Sequence, residues 1–296
     1  MTGGHAHYVI VDRTGHRVWS RHRGAYTLWH DVLAGPERTV EFVRAQDGGT
    51  PDFWMNSVWW NGVLMLDLRH RRMLVHIFDD LRDPDVVALR AWLGIVRALW
   101  PGWDVTWATR SLHEVMEYLG LPYDTVLYLD DPPHPPGEQW GWPPEDDEEP
   151  STRPETLIAV RDATGALALN GDWALRLSDY LLAGPDVLLL PQEAATRSAA
   201  LGAVPNSGLY LDAVKRRADW WSTDLPLDPR RLPALWQGWT LTDHGDAYED
   251  VAALVGPNLL LEPASDPVGA LLAWLERGVN DPALLERVRK GAGKAS

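Results

Sequence analysis

The sequence predicts an α+β protein built by internal duplication. It has two related domains, each a mainly antiparallel sheet with packed helices in the order ββα(α)βββαβα, and a C-terminal helix. Three observations predict this. Five landmarks recur in the same order on either side of an acidic, proline-rich stretch. Short apolar runs bounded by turn residues are interspersed with runs of helical spacing, so strands and helices mix along one chain. And 296 residues suffice for two domains of ordinary size.

Residues 8–15 (YVIVDRTG) match 158–165 (IAVRDATG), and 33–36 match 182–185 (both LAGP). Residues 64–72 (LMLDLRHRR) match 209–217 (LYLDAVKRR), and 99–103 (LWPGW) match 235–239 (LWQGW). Residues 114–120 then line up with 250–256. The offsets fall from 150 through 149 and 145 to 136, as expected if the second copy has lost residues between elements. The domains therefore span 5–129 and 156–262, with a linker at 130–155 and a C-terminal helix and tail at 263–296.

Each element has a local cause. In the opening hairpin, residues 8–12 and 17–22 flank a turn whose Gly15 supplies positive φ. A helix over 25–34 stops at Gly35-Pro36, because glycine caps a helix and proline cannot continue it. The same stop closes a helix over 173–183. Pro36 also opens a second short helix, to about Ala45. Asn61-Gly62 reads as a two-residue hairpin turn between strands at 58–60 and 63–67, and 73–78 as a further strand. Val86, Leu89, Leu93, Val96 and Trp100 fall at helical spacing over 85–100. The counterpart at 231–236 is shorter. Residues 104–108 read as a strand, 112–119 as a helix, and 268–277 as a helix before a fraying end.

Charge is unevenly spread. The formal net charge is −15, and residues 130–155 supply over half of it, with nine acidic side chains against one basic. Eight prolines in that stretch remove backbone donors and fix φ, so it reads as an extended, solvated linker. Read functionally, it would be an acidic lure with Trp140 and Trp142 as anchors. There is no cysteine, which excludes disulfides, thiolate metal sites and cysteine nucleophiles. No run of 18 apolar residues exists, so no transmembrane helix is expected. The N-terminus carries no secretory pattern, which points to the cytoplasm. Arginine makes up 24 of the 27 basic residues, the mark of a GC-rich, bacterial coding sequence.

Catalytic signatures are missing. There is no nucleophile elbow and no phosphate-binding glycine loop. The histidines, including His113 beside Glu114 and Glu117, form no zinc-ligand pattern, so no metal and no cofactor are expected. Asp67 and Asp212 are repeated. As carboxylates they could do acid/base work, but the plainer reading is that each ends a strand and orients the next turn. The basic turns after them could hold an acidic partner. Neither domain is net basic, which ranks nucleic acid below protein as the partner. Seventeen tryptophans suit cores and interfaces alike. In Trp59-Trp60 and Trp220-Trp221, adjacent side chains point to opposite faces if the segment is a strand.

Together these features predict a protein-binding module, most concretely an immunity- or antitoxin-like inhibitor of a bacterial protein, rather than an enzyme. The expected interface is Trp59, Trp60, Arg69, Arg71 and Arg72, with Arg216, Arg217 and Trp220 in the second copy. The alternatives are an enzyme with a site in a groove between the repeats, around Asp67 and Asp212, or a nucleic-acid-associated protein using the basic turns.

Overall fold

The computed structural model describes residues 4–56, 59–77, 85–122, 125–126, 154–172, 176–189, 196–263, 265–278 and 281–295. Residues 130–153 of the acidic linker, with Trp140 and Trp142, lie outside them, as do Val58 and Phe78. The chain divides into two compact units, residues 1–129 with 265–296 and residues 130–264.

Unit 1 opens with the hairpin β1 (His5–Asp12) and β2 (Gly15–Arg21). Asp12 turns it by accepting from the Thr14 amide (2.8 Å) and hydroxyl (2.6 Å). α1 (Gly24–Asp31) runs into a 3₁₀ turn, Val32–Ala34, and α2 (Pro36–Arg44) starts behind Gly35. β3 (Trp60–Asp67) and β4 (Arg72–Ile77) form a second hairpin. α3 (Val86–Leu99) is capped by Asp85, whose side chain accepts from the Ala88 amide at 2.8 Å. β5 (Asp104–Trp107) and α4 (Leu112–Leu119) follow. The sheet order is β2-β1-β3-β4-β5. Both hairpins are antiparallel; β1 with β3 and β4 with β5 are parallel, so the sheet is mixed.

Unit 2 repeats this plan. β6 (Thr156–Arg161), β7 (Leu167–Asp172), α5 (Leu177–Ala183), β9 (Ser207–Asp212), β10 (Arg217–Ser222), α6 (Leu232–Leu235), β11 (Thr240–Asp243) and α7 (Tyr248–Val255) match the first copy in order. The sheet order β7-β6-β9-β10-β11 is the same. The copy adds a small parallel pair, β8 (Ala199–Leu201) with β12 (Leu259–Leu261). The two copies even share a buried hydrogen bond. Trp100 Nε1 donates to Val32 O at 2.7 Å, and Trp236 Nε1 donates to Leu181 O at 2.8 Å.

Two expectations need correction. Asn61-Gly62 is no hairpin turn, because β3 runs straight through it. Pairing shifts from His5–Trp60 to Ala6–Gly62, which leaves Asn61 as the extra residue of a bulge. Gly62 is small because α1 approaches there: a Cβ would stand 3.3 Å from Leu28 Cδ2. The fraying end is also a helix. After α8 (Pro267–Gly278) comes α9 (Pro282–Ala295), capped by Asp281, which accepts from the Ala283 amide at 2.9 Å. Glycines near its end read as a tail, but Gly291 lets α9 lie close to Ile95 and Ala98 of α3.

Strand alternation gives the sheet of unit 1 two buried faces. Tyr8, Ile10, Leu64, Leu66, Met73 and Val75 pack with α1, α3 and the C-terminal helices. Val9, Val11, Val63, Met65 and Leu74 pack with α4. In unit 2 the first face is alike: Ile158, Val160, Leu209, Leu211 and Trp220 join Leu181 and Trp236. The other face is not.

Candidate functional site

The repeated aspartates fix the two β-hairpin turns that were expected to carry function. Asp67 is fully buried and pairs with Arg72 across the turn. Its carboxylate accepts from the Arg69 amide (2.8 Å), Arg69 Nη2 (2.8 Å) and the Tyr118 hydroxyl (2.8 Å), and His70 Nδ1 lies 3.0 Å away. Burial alone would raise this carboxyl. The hydrogen bonds from Arg69, His70 and Tyr118 more than reverse that and hold it well below the usual carboxylate range. Asp212 does the same work more sparely, accepting from the Lys215 amide at 2.9 Å and the Tyr210 hydroxyl at 3.3 Å. These contacts give both residues a turn-orienting role.

The last residue of each turn stands out. Arg71 has φ 52° and Arg216 has φ 51°, the left-handed region that glycine or asparagine normally fills. An L-residue there costs on the order of 1 kcal/mol, and both copies bear it. The backbone needs this corner, since Arg71 O accepts from the Asp104 amide and Arg216 O from the Thr240 amide, both at 2.8 Å. Those bonds start the pairing with β5 and β11. The backbone does not need arginine. Both side chains are exposed and, among the described residues, neither has a hydrogen-bond or ion-pair partner.

The WxGW loop backs each arginine. Gly102 and Gly238 both have φ 77°, and a Cβ placed there would lie 3.5 Å from Arg71 Nη1 and 3.7 Å from Arg216 Nη1. Beside them are the half-buried Trp103 and Trp239, held edge-on against Trp100 and Trp236 with ring centres 4.9 and 5.2 Å apart. The result is the same arrangement twice: a guanidinium with no partner among the described residues, over a glycine corner that a half-buried tryptophan follows in the chain.

The other expected interface residues are otherwise engaged. Arg69 is bound to Asp67. Arg72 Nε lies 3.4 Å from Asp104, and its guanidinium lies over the Tyr118 ring, 5.3 Å from the ring centre. Arg217 is bound to Asp219. Trp60 and Trp220 are 7 % and 4 % exposed and belong to the cores, so neither offers a contact surface. Trp59 is half exposed, its ring edge-on to His5.

Comparing the copies exposes a second cluster that reading the sequence for motifs missed. On the α4 face of unit 1, Val11, Met65, Leu74 and Ala108 are apolar and buried. The matching positions in unit 2 are Arg161, Tyr210, Asp219 and His244. Arg161 Nε donates to the Tyr210 hydroxyl at 3.0 Å. Burial raises the Tyr210 phenol above its ordinary value, with the Arg161 hydrogen bond opposing it. Asp219 is fully buried between Arg217 and His244. His244 Nε2 is 2.9 Å from Asp219 Oδ1, and its Nδ1 is 3.5 Å from Asp250 Oδ2 on α7. Both ring nitrogens face carboxylates. His244 thus bridges Asp219 on β10 to Asp250 on α7. The signal was present in the aligned repeats, as apolar strand positions turned polar in one copy.

Among the described residues no group of three or more His, Asp or Glu side chains is placed to hold a metal, and no helix is long and apolar enough to cross a membrane. Comparison with protein families, curated proteins and solved structures found no match.

Proposed function

We propose that this chain is a protein-binding module acting in the cytoplasm, most concretely an immunity- or antitoxin-like inhibitor of a bacterial protein, and that it binds through its duplicated turns. One observation carries the reading. Both copies keep an arginine that has no partner among the described residues, at a backbone corner where glycine costs less, over a loop that carries a half-buried tryptophan. Arginine and tryptophan are the side chains that dominate binding energy at protein interfaces. The corner serves the fold but the arginine side chain on it does not, and a strained residue kept where glycine would suffice supports a binding role.

The test is affinity capture with the tagged full chain from a bacterial lysate treated with nuclease. The captured protein is then made pure and titrated against the chain. A nuclease-resistant partner that binds the pure chain, and whose activity the chain suppresses, is the expected result. A partner lost with nuclease, or no partner at all, would sink the inhibitor reading.

A further inference from the structure

Resting on that reading, the geometry points to the chemistry of the partner. Arg71 and Arg216 are two copies of one carboxylate-receiving site, and the Arg71 copy takes a segment that carries a single Asp or Glu beside an apolar side chain.

The groove beside Arg71 supports this. It has a volume of about 570 Å³ and lies within unit 1, between α2 and the WPGW loop. Val40, Leu68, Leu99, Pro101 and Trp103 form the apolar part of a lining that is otherwise charged. Three guanidiniums border it. Arg44 is within 3.7 Å of Asp12, and Arg287 donates to Ala34 O at 3.3 Å. Arg71 is the uncommitted one among the described residues. A planar guanidinium presents paired N–H donors that match a carboxylate fork, which an ammonium does not.

The same groove disfavours a polyanion. Glu37 and Glu41, four residues apart on α2, also line it. A nucleic-acid backbone laid here would meet like charge, whereas one carboxylate at the Arg71 wall with an apolar neighbour over Trp103 would not. One uncommitted guanidinium beside two glutamates therefore matches a protein segment with a single carboxylate better than the phosphate run of RNA or DNA.

The probe is the peptide acetyl-Gly-Glu-Leu-Leu-Gly-amide, titrated into the full chain while the Arg71 Nε–H and Trp103 Nε1–H signals are followed by ¹⁵N NMR. Both signals should shift, with a dissociation constant on the order of 1 mM for so short a ligand. The analogue with Gln in place of Glu should bind at least about fivefold more weakly, because the charge-assisted pair is lost. Arg71→Ala should abolish the Trp103 shift, and Arg71→Lys should weaken it. Arg13→Ala, which removes one charge from an exposed turn, should leave it unchanged. Equal binding of the Gln analogue, or full binding by Arg71→Ala, overturns the assignment. So does inorganic phosphate or a single-stranded oligonucleotide that shifts the same signals at lower concentration than the peptide. If a captured partner binds Arg71→Ala/Arg216→Ala as well as the parent chain, this site and the duplicated turns fall as the interface, and only the protein-binding class of function stands. If the peptide behaves as described and no partner is captured, the site stands and the inhibitor reading falls.

Discussion

Arg71 and Arg216 occupy the same left-handed corner of the same turn, at φ 52° and 51°. A glycine in either place would relieve the backbone while keeping the carbonyl that accepts from Asp104 or Thr240. Arg71→Gly and Arg216→Gly are therefore expected to be neutral to about 1 kcal/mol more stable in urea denaturation. Partner binding should drop at least tenfold for each, about the loss of one interface arginine. A variant that loses stability and binding together would show that the arginine serves the fold.

The tryptophans divide by burial. Trp220→Ala empties a core position and should cost about 3–5 kcal/mol by thermal or chemical denaturation. Trp59→Ala removes a half-exposed ring and should stay within about 0.5 kcal/mol of the parent. Trp103→Ala should weaken partner binding, since Trp103 lines the same groove as Arg71. Comparing the melting curves of the three variants with their binding curves separates these roles.

His7 makes stability fall with pH on the acid side. It is fully buried, its Nε2 accepts from the Met55 amide at 3.1 Å, and burial together with the nearby His5 pushes it down from 6.5 to about 3. The folded state keeps it neutral while the unfolded chain takes up a proton below 6.5. Its contribution is therefore complete above that pH and is lost progressively towards about 3. His7→Gln keeps an acceptor for Met55 without titrating, so its stability should vary less between pH 6.5 and 4. Parallel pH–stability curves for the two proteins would reveal an unchanged slope if the assignment is wrong.

Asp219 tests the divergence of the copies. Asp219→Ala leaves Arg217 and His244 facing an emptied, buried site and should cost about 3–5 kcal/mol. Restoring the unit 1 residues, with Asp219→Leu and His244→Ala together, should recover much of that loss, because an apolar pair replaces a buried ionic one. A double variant no more stable than Asp219→Ala would mean that the surrounding packing in unit 2 no longer fits the apolar arrangement.

The duplication was legible because its landmarks are the residues that local geometry constrains most. Gly35 and Gly184 start the next segment at positive φ, Gly102 and Gly238 turn the WxGW loops, and Trp100 and Trp236 each need a carbonyl. The Asn61-Gly62 bulge was not legible, since a hairpin turn and a bulge ask for the same residues and only pairing with β1 decides between them. α9 was hidden because its small residues serve contact with α3. At the candidate site, composition marked the basic turns but could not tell Arg71 from Arg69 or Arg72. That distinction depends on which guanidinium finds a carboxylate or a ring nearby. The polar face of unit 2 needed the copies to be compared position by position.

The most direct test is the affinity of the purified partner for the parent chain and for Arg71→Gly/Arg216→Gly, measured alongside unfolding of both proteins. The account predicts a double variant at least as stable as the parent that has lost most of its binding. A double variant that is equally stable and binds as tightly would contradict it.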